Sequence, residues 1–219
     1  MVMDNHAEAR VDLDAITGNV ATLREHVAPS AVMAVVKAGG YGHGAVAAAR
    51  AALRGGAQWL GVVHVAEALE LRAAGVEGPL LCLMAIGEQA HADAIAVGVD
   101  LSAGSVGMVR HLAAAAARAG RPARVHLKAD TGLSRGGATA ADWPAVIEAA
   151  LAAQAAGRVS VVGLWSHFAS ADEPGNPSIV AQLAAFGEAL AVAEKAGVCP
   201  RSTTHREHGS RDRGAGSEL

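Results

Sequence analysis

The sequence predicts an α/β fold built on a parallel sheet. Short apolar runs alternate with longer segments of helical periodicity. The runs are continuously apolar, as strands are when helices cover both faces of a sheet. A glycine stands just past nearly every helical segment, a signature of a left-handed helix end.

The first segment, Arg10-Val11-Asp12-Leu13-Asp14, reads as a short strand, with Asp14 as the N-cap of the next helix. Ile16, Val20, Leu23 and Val27 recur at helical spacing, giving an amphipathic helix over 15–27 that Pro29 ends. Strand-length runs follow at Ala31–Val36, Trp59–Val63, Pro79–Ala85, Val99–Leu101, Arg124–Leu127 and Val159–Leu164. Helical segments at 43–54, 65–74, 87–97, 105–119, 141–154 and 178–196 separate them, each followed by Gly55, Gly75, Gly98, Gly120, Gly157 or Gly197. Six βα units are fewer than the eight that close a TIM barrel, and they are also compatible with a doubly wound sheet. Beyond Gly197 the composition changes to Arg, His, Ser and Gly. A seventh strand is due near residue 200, but residues 199–219 bury too little to order themselves and read as a disordered tail.

The chain has 219 residues, a net charge of −3 and no basic face, which argues against nucleic acid as a partner. Aromatic residues make up only 3%, so the core must be aliphatic. Cys82 and Cys199 lie far apart with no CxxC, which fits a reducing cytoplasm. The first ten residues have no apolar signal-peptide core, and no apolar run approaches the roughly 20 residues of a membrane span.

Chemistry-bearing residues gather at strand ends. The chain has only three lysines, and Lys37 and Lys128 both end predicted strands, while His167 follows another. Lys37 is either a reactive amine, its pKa lowered by burial or nearby charge, or a strand-end lysine that snorkels to water. The loop Gly39-Gly40-Tyr41-Gly42-His43-Gly44 either brings backbone to a phosphate or is a turn that needs positive φ. Tyr41, the only tyrosine, bonds a phosphate or closes the loop. Lys128 and Arg135 flank a loop that either binds an anion or pairs with Asp130. His167 is an acid, a base, a stacking surface or a core histidine. A metal is not expected, because no second His or Cys lies at ligand spacing. Glu67 reads as part of a solvated helix face.

Four ordered stretches nevertheless resemble one family. Val35-Val36-Lys37-Ala38-x-x-Tyr41-Gly42-His43-Gly44 resembles the pyridoxal 5'-phosphate (PLP) lysine motif of the bacterial alanine racemases, a fold-type III family. Arg10 to Ile16 resembles that family's opening. Lys128-x-Asp130-Thr131-Gly132-Leu133-Ser134-Arg135-x-Gly137 and Trp165 to Glu173 resemble two further signatures. The resemblance covers 8–198 and implies an incomplete (β/α)8 TIM-type barrel, without the C-terminal β-domain that follows it in the family.

It implies PLP as cofactor, alanine as substrate, interconversion of L- and D-alanine for peptidoglycan, and a head-to-tail homodimer. By resemblance Lys37 bonds the cofactor and is the base on the D-alanine side. Tyr41 contacts the phosphate, His167 lies against the pyridine ring, and Arg135 bonds the phenolic oxygen and serves the substrate. Lys128 is the position that carries a carbamate, turning a cation into an anion that orients Arg135. The second base, a tyrosine of the partner subunit, falls in the family's other half. Gly39-Gly40 replaces the usual Asp/Asn-Ala and is expected to loosen the lysine loop. The abrupt tail is expected from a frameshift or mis-called gene. Absent or very weak two-base racemisation is the outcome expected of this chain alone, and the other readings are a non-catalytic PLP-binding barrel and an inactive fragment.

Overall fold

The structure, a computed structural model, describes residues 8–85, 90–199 and, for the backbone, 202–206. Seven strands form one parallel sheet in strict chain order. They are β1 (Met33–Val35), β2 (Trp59–Val62), β3 (Leu80–Cys82), β4 (Asp100–Ala103), β5 (Ala123–Lys128), β6 (Val159–His167) and β7 (Ser202–Arg206). A doubly wound sheet reverses its strand order at a switch point. This sheet does not, so it is a barrel wall wound in one direction.

β7 corrects the expectation that no strand forms near 200. Its backbone pairs with β6 from Gly163↔Ser202 to His167↔Arg206. Polar Ser and Thr at 202–204 hide it from a search for apolar runs. Residues 207–219 of the expected tail lie outside the described residues.

The helices are α1 (Leu13–His26), α3 (Ala45–Arg54), α4 (Val65–Ala73), α5 (His91–Ala96), α6 (Val106–Ala119), α7 (Trp143–Ala155) and α8 (Pro177–Lys195), with a short helical turn, α2 (Lys37–Tyr41), directly after β1. The expected strand over 10–14 is absent. Asp12 rather than Asp14 caps α1, its Oδ1 accepting from the Asp14 and Ala15 amides at 3.0 Å each. An acidic residue two places too late looks like a cap because the first turn also favours carboxylates. Gly75, Gly98, Gly120, Gly157 and Gly197 take the positive φ expected of helix ends, and at α3 it is Gly56 rather than Gly55 that does so.

Side chains on a strand alternate between faces. Leu60, Val62, Leu80, Cys82, Leu101, Leu127 and Leu164 face the helices in one large aliphatic core. Their neighbours Trp59, Leu81, Leu83 and Trp165, with Met33 and Val35, fill the other face. Both faces are therefore largely buried, which is why β2, β3 and β6 read as apolar runs, although the second face also holds the buried polar residues Asp100, Ser102 and His126. Each fully buried leucine contributes about 1.5–3 kcal/mol, enough to fix the register of strands only three to nine residues long.

Candidate active site

The site lies where strands β1, β5 and β6 end. Lys37 follows β1 directly and is half-buried. Parallel pairing runs one residue past β1, as the Val36 amide donates to the Gly61 carbonyl at 2.8 Å. Lys128 is the last residue of β5 and stands opposite Trp165 of β6, while His167 is the last residue of β6.

After Lys37 the backbone turns left-handed for five residues. The φ values are +51° at Ala38, +65° at Gly39, +64° at Gly40, +57° at Tyr41 and +86° at Gly42. Left-handed geometry costs an L-residue about 1–2 kcal/mol, and glycine almost nothing. Gly39-Gly40 therefore lowers the strain of this turn. Bonds from the Gly40 amide to the Val36 carbonyl (2.9 Å) and from the Gly44 amide to the Gly39 carbonyl (2.7 Å) close the turn.

Glu67 corrects its reading as a solvated helix residue. One carboxylate oxygen accepts from the Ala38 amide at 2.6 Å, and the other from the Val63 and His64 amides at 2.9 Å each. Burial alone would raise its pKa. The three backbone donors, with nearby His64, outweigh burial and hold the carboxyl below its ordinary value.

The second loop runs from Lys128 to Ala138. Asp130 Oδ1 accepts from the Gly132 and Ser134 amides at 3.0 Å each. It shapes its own loop through these two amides. Backbone bonds Asp130 N–H to Ala138 carbonyl (2.8 Å) and Ala138 N–H to Lys128 carbonyl (2.9 Å) fold the loop back on itself. A Cβ on Gly137 would come within 2.9 Å of the Ala129 carbonyl carbon and the Asp130 nitrogen, so only glycine closes it.

Gln182, from α8, ties this loop to the segment that follows β6 and is almost wholly buried, at 3% exposed. Its Nε2 donates to Thr131 Oγ1 (3.1 Å) and the His167 carbonyl (3.0 Å), and its Oε1 accepts from the Ala169 amide (2.8 Å). Thr131 also bonds Ser166 through their hydroxyls at 2.7 Å. No local motif marks Gln182 in the sequence, since its partners are brought near only by the fold.

One cavity of about 410 Å³ takes in Lys37, Lys128, Arg135, Trp165 and His167, with Val63, Ser102 and Met108 among its other walls. Four of the five residues singled out from the sequence thus meet. The fifth, Tyr41, stands outside the lining and is 59% exposed, with its ring centroid 5.6 Å from Lys37 Nζ. Trp165 is the addition. Lys128 Nζ sits 4.6 Å from its ring centroid, and its indole N–H donates to Ser102 Oγ at 2.9 Å.

Comparison with known proteins shows the family. The family model "Alanine racemase, N-terminal domain" matches residues 11–207. The chain belongs to that family. It is 56% identical over 196 residues to the alanine racemase of Salinispora arenicola, covering 89% of this chain and 52% of that one. Identity to the alanine racemase of Thermobifida fusca is 53% over 199 residues, covering 91% and 53%. The crystal structure of alanine racemase from Streptomyces lavendulae superposes with a TM-score of 0.87 at 51% identity, over 89% of this chain and 51% of that one. The chain thus spans about half the length of the alanine racemases it matches. The matched region reaches through β7, consistent with β7 being part of the family's barrel wall.

Proposed function

We propose that this chain forms the lysine-bearing half of a PLP-dependent alanine racemase site, acting on alanine and supplying D-alanine for the cell wall in the cytoplasm. The observation that carries the proposal is the meeting of Lys37, Lys128, Arg135 and His167 around one cavity. Its volume, about 410 Å³, is that of a small-molecule site. An amine at a strand end, two cationic side chains and a flat indole form a donor set that suits an anionic aromatic aldehyde.

The cofactor, when bound, supplies an electron sink that allows an α-proton to leave. Lys37 provides the amine that bonds it and, at Nζ, the base for one face of the substrate. Arg135 presents a guanidinium for an anionic oxygen of cofactor or substrate. Trp165 and His167 wall the cavity and exclude water beside that charge. Lys128 reinforces the positive end of the site; a carbamate there would exchange its contact with Trp165 for an anion able to orient Arg135. Tyr41 reaches a phosphate only by turning its exposed ring toward the cavity.

Tyr41 is the sole tyrosine of the 219 residues and shares the Lys37 loop, so the opposite face draws its base from elsewhere. A second copy of this chain does not supply it, since that copy's one tyrosine is again Tyr41. A non-catalytic cofactor-binding barrel is the second reading, favoured by the same single-sided set of groups. Incubation with PLP, borohydride reduction and peptide mass spectrometry test the common core of both. Modification at Lys37 supports it, and an unmodified Lys37 rejects both.

A further inference from the structure

Lys37 leaves its strand into a turn that L-residues disfavour. Ala38 and Tyr41 stand in left-handed conformations without glycine's freedom. Something outside the turn must hold it, and the Ala38 amide shows what. It points away from the turn and donates to Glu67 Oε1 at 2.6 Å, a short charge-assisted bond. The other oxygen takes the amides of Val63 and His64, where β2 passes into α4. β1 and β2 are neighbours in the sheet, so one carboxylate spans both strand ends. Val63 and Lys37 line the same cavity.

We propose that Glu67 is a positioning residue for Lys37, clamping the next amide in the chain to the β2–α4 junction and so setting the direction in which the lysine enters the cavity. This rests on the reading of Lys37 as the cofactor lysine. The clamp needs acceptors on both arms of the side chain, because every partner is a donor. Glutamine keeps the shape of glutamate but turns one arm into an NH2 group, which must face an amide N–H. Alanine removes both arms and leaves the three amides to water. A positioning role therefore predicts that Glu67→Gln is at least as damaging as Glu67→Ala. A merely space-filling role predicts the reverse.

The chain's three lysines provide the readout. Parent, Glu67→Gln and Glu67→Ala chains are incubated with PLP, reduced with borohydride and digested. The modification at Lys37, Lys128 and Lys195 is then counted by mass spectrometry, with far-ultraviolet circular dichroism as the check on folding. Lys195 is exposed in the last turn of α8 and serves as the reference. Losing a hydrogen bond to a charged group corresponds to roughly a tenfold or larger change in an equilibrium. The expected result is a drop of about that size at Lys37 in both variants, no smaller in Glu67→Gln, with Lys195 unchanged. Lys37 modification at the parent level in Glu67→Gln, or a Glu67→Gln clearly milder than Glu67→Ala, overturns the proposal. Should Glu67→Gln fail to fold, Glu67→Ala decides alone, with modification at the parent level rejecting the clamp. A parent chain unmodified at Lys37 instead rejects the cofactor reading on which the clamp depends.

Discussion

Replacing Gln182 with leucine tests whether the Lys128–Ala138 loop and the end of β6 are held together from α8. Leucine is close to glutamine in size, so packing around α8 changes little. What changes is the bonding to Thr131 Oγ1, the His167 carbonyl and the Ala169 amide. The losses are unequal. Ala169 is exposed, so water can replace its partner, and Thr131 keeps its bond to Ser166. Each of the three bonds contributes about 0.5–1.5 kcal/mol. Together these give about 3 kcal/mol of destabilisation. For a chain of this length that is a fall of roughly 6–12 °C in Tm. Urea unfolding and differential scanning calorimetry measure both quantities. Because His167 lines the same cavity as Lys37, PLP trapping at Lys37 should weaken as well. A Gln182→Leu chain with parental Tm and parental trapping would refute the reasoning.

Other expectations rest on single groups. Burial pushes the Cys82 thiol up to about 12, so at neutral pH iodoacetamide should modify exposed Cys199 and spare Cys82, as read by peptide mass spectrometry. The Glu67 carboxyl is held below its ordinary value, so its contribution to stability is fully present above its unfolded-state pKa of about 4.3 and is lost as pH falls through the folded-state value. The stability gap between parent and Glu67→Gln should accordingly be constant at neutral pH and shrink in acid, and a gap independent of pH down to full protonation would contradict the clamp. With the opposing base supplied from elsewhere, the 219-residue chain should interconvert alanine enantiomers far more slowly than it takes up PLP, and ordinary turnover in a chiral assay would refute that.

The parts of the fold that were legible in the sequence are those written in apolar runs. β2, β3 and β6 bury both faces, and their hydrophobicity marks them without help. β7 is marked by nothing of the kind, because Ser202, Thr203 and Thr204 are polar. Lys37, Lys128, Arg135 and His167 were legible because each stands in or beside a strand end or glycine loop. Glu67 and Gln182 were not. Their work is to join segments distant in sequence: Ala38 to Glu67 spans 29 residues, and Thr131 to Gln182 spans 51. A helical glutamate looks the same to a reader of sequence whether it faces water or three backbone amides. The left-handed turn was half-legible, since the glycines announced positive φ but not that Ala38 and Tyr41 would share it.

The central claim is that Lys37 is the cofactor lysine of this barrel, and borohydride trapping of PLP on the parent chain tests it most directly. The account predicts a stoichiometric adduct on Lys37 that Lys37→Ala abolishes. An adduct confined to Lys195, or none at all on a folded chain, would contradict it.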